Sequence, residues 1–162
     1  WLNLPAKDKM VPPAYHSIKN SEIEEIPLDN GKLRLLAGNY EDKKGYQSKY
    51  LPLDYYDIHL NPQGSIIINT EEDRSIMVFT LLGDAYVGGE LLKEKTAAKL
   101  SPGTHVEIKA TDEKAQVLFI SSQALKEPVV WGGPIVMNTR EELEQAFADI
   151  KQGTFLQKEI DY

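Results

Sequence analysis

The chain has no cysteine among its 162 residues. That excludes disulfides, thiol nucleophiles and cysteine-ligated metals, and it fits a reducing compartment, so the cytoplasm is the expected location. Runs of about eighteen apolar residues are absent, as is a basic start followed by a short apolar core, so neither a membrane-spanning helix nor a signal peptide is expected. Positive charge is in deficit: 18 Lys and Arg against 25 Asp and Glu leave a net charge of −7. A chain of that sign repels phosphate backbones and anionic lipid, so nucleic acid and membrane are not expected as partners. Histidine is scarce, with His16, His59 and His105 far apart. The serine-nucleophile pattern Gly-x-Ser-x-Gly and the dinucleotide pattern Gly-x-Gly-x-x-Gly are missing. Gly88-Gly89 precedes a charged link rather than a helix, and reads as a turn.

What is present is a period-two pattern from about 22 to 122, broken by turn residues, which predicts short antiparallel strands. Residues 32–38 follow the turn Asp29-Asn30-Gly31. In 54–60, Tyr56, Ile58 and Leu60 share one face, and Asp57 and His59 the other. Asn61-Pro62-Gln63-Gly64 leads into 65–69. The nearly all-apolar run 76–82 predicts a buried strand. Residues 104–110 alternate, and 115–121 follow the Asp112-Glu113 turn. The polar stretch 39–49 reads as an exposed loop. Many short strands and one terminal helix predict an all-β, double-sheet jelly roll.

The tail, 127–147, has the clearest grammar. Pro128 and Gly132-Gly133-Pro134 turn the chain. Thr139 and Glu142 have capping-box spacing, and Leu143, Ala146, Phe147 and Ile150 follow at i, i+3, i+4 and i+7. Gly153 stands where a left-handed C-cap belongs. An amphipathic helix over about 143–150 is predicted.

Glu127-Pro-Val with Gly133-Pro-Ile-Val-Met-Asn-Thr139 and Glu141-Glu-Leu-Glu-Gln-Ala-Phe147 resembles the C-terminal signature of the pirin family. Residues 1–13, Trp-Leu-Asn-Leu-Pro-Ala-Lys-Asp-Lys-Met-Val-Pro-Pro, resemble the passage between the halves of such a protein. The resemblance implies a cupin-type jelly roll with three segments: 1–20 connecting, 21–126 a degenerate cupin barrel, and 127–162 a terminal loop and docking helix. Pirin-like proteins carry two cupin halves, so the N-terminal half is expected to be missing, in keeping with a chain that opens on the apolar stretch 1–4, read as a strand.

Metal cupins use imidazoles and a carboxylate, a set that suits Fe, Mn, Ni or Cu(II). Laid on this chain, the family pattern anchors on Gly64, Gly83 and Gly103. Its histidine places fall on Thr70 and Glu72, its glutamate place near Ile76, and its last histidine place on Val106. None holds its expected ligand, and the resemblance implies an emptied cupin with no metal site and no catalytic residue. His105 neighbours Val106, but adjacent strand residues face opposite ways. His59 and His105 are expected on the outer face of one sheet. With Glu72, in the solvated acidic turn Glu71-Glu72-Asp73, they would be the fallback ligands.

The resemblance further implies that Fe or another divalent transition metal sits in the N-terminal half. The whole protein is then a quercetin 2,3-dioxygenase-like oxidoreductase, with this chain as its metal-free buttress. The alternative is a regulatory protein-interaction module that binds protein partners through its acidic surface. In either case the N-terminal half is the first partner. Trp1, Leu4, Trp131, Leu143, Phe147 and Ile150 are the candidate contacts, because two-cupin proteins commonly cross over their terminal segments. Trp131, in a loop flanked by glycines, is also a candidate binding anchor.

Overall fold

Alternating apolar and polar residues between positions 24 and 123 become twelve short strands in the computed structural model, which describes residues 1–156. They are β1 (Glu24–Leu28), β2 (Gly31–Ala37), β3 (Asn39–Tyr40), β4 (Lys43–Lys44), β5 (Leu53–Leu60) and β6 (Ser65–Asn69). Then come β7 (Arg74–Leu82), β8 (Ala85–Val87), β9 (Glu90–Leu92), β10 (Ala97–Lys99), β11 (His105–Ala110) and β12 (Ala115–Gln123). Neighbouring strands pair antiparallel into a six-stranded sheet, β1-β2-β5-β12-β7-β10, and a four-stranded sheet, β6-β11-β8-β9. The core lies between them. Leu33, Leu35, Ile58, Val78, Val117 and Phe119 from the larger sheet meet Ile66, Ile68, Val87, Val106 and Ile108 from the smaller. The Phe119 ring stacks on Tyr56 at 5.3 Å, and Tyr40 meets Tyr56 edge-on at 5.8 Å. This is the all-β, double-sheet arrangement expected from the strand spacing.

β11 buries Val106, Ile108 and Ala110 and exposes His105, Glu107 and Lys109, the alternation its sequence prescribes. β7 departs from expectation. Its apolar run is buried on one face only, with Ile76, Val78 and Thr80 inward and Met77 and Leu82 exposed, because the six-stranded sheet has a second face outside the core. The stretch 39–49 is not a plain loop: β3 and β4 form a small hairpin within it, and Tyr46 bridges to Ala37. The link after Gly88-Gly89 supplies β9 and β10. Both glycines have positive φ, as a tight turn requires.

Among the described residues, 19–124 form one compact unit, and 1–18 with 125–156 form a second. The second unit shows a hairpin where a loop was predicted, β13 (Val130–Gly132) paired with β14 (Ile135–Met137) through the Gly133-Pro134 turn. Residues 1–4 are not a strand; the chain there leads into a 3₁₀ turn, Ala6–Asp8. The terminal helix, α1 (Arg140–Gln152), is longer than the apolar stripe alone marks, because its first turn is polar and carried by its cap. Thr139 Oγ1 accepts from Glu142 N at 3.2 Å, and Glu142 Oε2 accepts from Thr139 N at 3.0 Å. Gly153 closes the helix in the left-handed conformation. A Cβ on Gly132 would stand 3.1 Å from the Phe147 ring, so its lack of a side chain lets the hairpin lie directly on the helix. Among the described residues no helix is long and apolar enough to cross a membrane.

Candidate functional site

Ile76, one of the ligand places that the resemblance implies, lies in the interior of the sandwich near Asp54 and Arg74. Asp54, Ser121 and Ile76 stand in one cross-strand row over β5, β12 and β7. Ile76 and Val106 are 3% and 6% exposed and carry no atom able to bind a metal. Thr70 is half-buried just beyond β6, its amide donating to Thr104 O at 2.9 Å, and Glu72 is exposed in the turn before β7. Two residues before Ile76, Arg74 points the same way along β7. Its guanidinium donates from Nε to Ser121 Oγ at 3.0 Å and from Nη2 to Ser121 O at 3.3 Å, and pairs with the Asp54 carboxylate. Asp54 Oδ1 also accepts from Asn39 N at 3.3 Å.

This set does not fit a transition metal. Arginine offers donors and no lone pair, and its fixed positive charge opposes a cation beside it. The carboxylate in the row, Asp54, is already paired with Arg74. Tyr56 is the remaining polar group nearby. Its hydroxyl donates to Asn39 O. Burial first, and the Asp54 carboxylate second, push its phenol well above the ordinary tyrosine value, so it stays protonated.

His105 lies exposed on β11 opposite Asn69, whereas His59 lies on β5. The expectation that they share a sheet is therefore corrected. β5 pairs with β2 and β12 in the larger sheet, and β11 with β6 and β8 in the smaller. Glu72 joins neither. Among the described residues no three His, Asp or Glu side chains converge as a metal site.

Sequence reasoning missed a polar cluster on the outer face of the six-stranded sheet. Asp57, predicted on a polar face, is only 5% exposed. It accepts from Gln116 Nε2 at 2.7 Å and from Arg34 Nη1 at 3.1 Å, and its Oδ2 lies 3.1 Å from His59 Nε2. Glu25 completes the set, 3.0 Å from Lys32 Nζ and 3.2 Å from Arg34 Nε. Burial works to raise the Asp57 pKa, but donation from Gln116, His59 and Arg34 outweighs it and holds the carboxyl below its ordinary range. The signal was available: Asp57 and His59 are two apart on one strand, with Arg34 and Lys32 two apart on its neighbour.

In the unit built from both chain ends, Ala6 N and Asn138 Nδ2 both donate to Glu127 Oε2, at 2.8 and 3.2 Å, tying the two ends together. Of the six candidate contact residues, Trp1, Trp131, Phe147 and Ile150 are exposed, Trp131 at 70%. Leu4 and Leu143 are half-buried.

Residues 55–156 match the Pirin C-terminal cupin domain, well over half of the chain. The chain belongs to the pirin family. A crystal structure of quercetin 2,3-dioxygenase from Acinetobacter baumannii shares 34% identity with it and superposes with a TM-score of 0.88, covering 96% of this chain and 55% of that one. A Pseudomonas aeruginosa protein provisionally named quercetin 2,3-dioxygenase is 33% identical over 159 residues, covering 96% of this chain and 55% of its own length. Pirin of Homo sapiens is 30% identical over 156 residues, covering 93% and 54%. This pirin-family chain thus spans about half the length of the curated relatives it matches.

Proposed function

We propose that this chain is the C-terminal half of a two-cupin pirin-family protein whose whole form is a metal-dependent, quercetin 2,3-dioxygenase-like oxidoreductase. In this reading the N-terminal half holds Fe or another divalent transition metal, and the present half buttresses it without binding metal itself. Residues 1–20 join the halves, and the tail from 127 docks; its last residues, 157–162, lie outside the described residues. The observation that carries the reading is the match, at 34% identity and over 55% of its length, to a structure named as that enzyme. The apolar and arginine-bearing interior supports the division of labour, since the Asp54 carboxylate there is already paired with Arg74. The zero-cysteine composition supports a cytoplasmic setting.

The test is turnover of quercetin by the full-length protein before and after metal removal. Cleavage that is lost on chelation and regained on adding Fe(II) supports the reading; absence of cleavage in every metal-loaded form overturns it. A second reading, a regulatory module that binds protein partners, is favoured by exposed Trp131, because tryptophans concentrate at binding hot spots. Partner binding that persists without turnover supports that reading.

A further inference from the structure

The outer face of the six-stranded sheet carries a cleft of about 410 Å³ at the end where the strands turn beside Gly31 and Lys114. Lys32, His59, Gln116 and Leu82 form one row across β2, β5, β12 and β7, each registered against the next, and Lys114 adds a side wall. Every ionisable side chain lining this cleft is basic, in a chain of net charge −7. We propose that this cleft binds a small organic carboxylate.

The chemistry follows from how each group is held. Buried Asp57, two residues along β5, has its Oδ2 3.1 Å from His59 Nε2, which is itself buried, so a ligand in the cleft would meet the imidazole from its other side. The same carboxylate takes the Gln116 amide at 2.7 Å, so the row is fixed before any ligand arrives. Lys32 is tied to Glu25 at 3.0 Å and contributes its field more than a donor. Lys114 is exposed and makes no ion pair among the described residues, so its ammonium is free to meet an anion. The His59 imidazole and the Lys114 ammonium then both face the ligand, and Lys114 supplies a charge-assisted donor. Leu82, 53% exposed at the far end of the row, offers an apolar wall that a bare inorganic ion would not use. A carboxylate attached to an apolar body fits both ends of the cleft.

The three histidines make the test clean, because each gives its own imidazole resonance. The protein, ¹³C-labelled, is titrated with benzoate and, separately, with inorganic phosphate at constant ionic strength. Benzoate is expected to move the His59 ring signal saturably while those of His16 and His105 stay in place. Lys114→Glu, a surface change in a turn, is expected to weaken this by about tenfold. Leu82→Ser is expected to weaken benzoate alone. Absence of a saturable shift at His59, or equal shifts at all three histidines, overturns the site. Phosphate binding as tightly as benzoate, with Leu82→Ser affecting neither, overturns the organic-acid assignment.

Discussion

Arg34 and Asp57 face each other across the β2–β5 ladder, guanidinium to carboxylate at 3.1 Å, on what the sequence alone marks as a solvent face. The pair turns that face into an ordered polar layer, because Asp57 is shielded by Arg34, His59 and Gln116 together. A buried carboxylate so supported is costly to break from one side.

Asp57→Ala is therefore expected to destabilise the protein by about 3 kcal/mol at neutral pH, measured by urea unfolding. Its folded-state pKa is depressed, so its contribution is full above the unfolded value of about 3.9 and is lost as pH falls through the lower folded value. The gap between wild type and Asp57→Asn should accordingly narrow on going from pH 7 to about pH 2. A gap that stays constant with pH would place the effect in packing rather than charge.

Ile76 tests whether the interior is closed. Ile76→Val should cost about 1 kcal/mol, as for a lost methyl group, while Ile76→Glu should cost about 3 kcal/mol or more, because a carboxylate there has no cationic partner to spare. Arg74, the nearest cation, is already engaged by Asp54 and Ser121. Thermal unfolding of the two variants side by side measures the difference.

At the helix N-terminus, Thr139→Ala should cost about 1 kcal/mol and Thr139→Ser should recover most of it. The hydroxyl that accepts the Glu142 amide at 3.2 Å is the only part of the side chain at stake. Proteolysis within 140–152, followed over time, reads the effect locally.

Trp131 separates folding from docking. Exposed as it is, Trp131→Ala should change the stability of this chain by no more than about 0.5 kcal/mol. The same change should weaken association with a separately produced N-terminal half, measured by calorimetry. Unchanged association would remove Trp131 from that interface.

Much of this was legible in the sequence, and the reasons are local. Strand alternation placed Val106 inward and His105 outward, since the period of two leaves no choice once one face is buried. Thr139, Glu142 and Gly153 announced both ends of α1 because caps use backbone groups within a few residues. What stayed hidden depends on pairing between distant strands. His59 and His105 read alike in the sequence, yet strand order puts them in different sheets. Asp57 reads as a surface residue until Gln116, fifty-nine positions on, is brought beside it. Arg74 with Asp54 is hidden for the same reason, and the β13–β14 hairpin because glycine and proline mark a turn without saying whether strands flank it.

The most direct measurement is the metal content of this chain by elemental mass spectrometry, after loading with Fe(II), Ni(II) or Zn(II) and desalting. A core closed by Ile76, Val106 and the Arg74–Asp54 pair predicts less than about a tenth of an equivalent of any of them. Retention near one equivalent would contradict it.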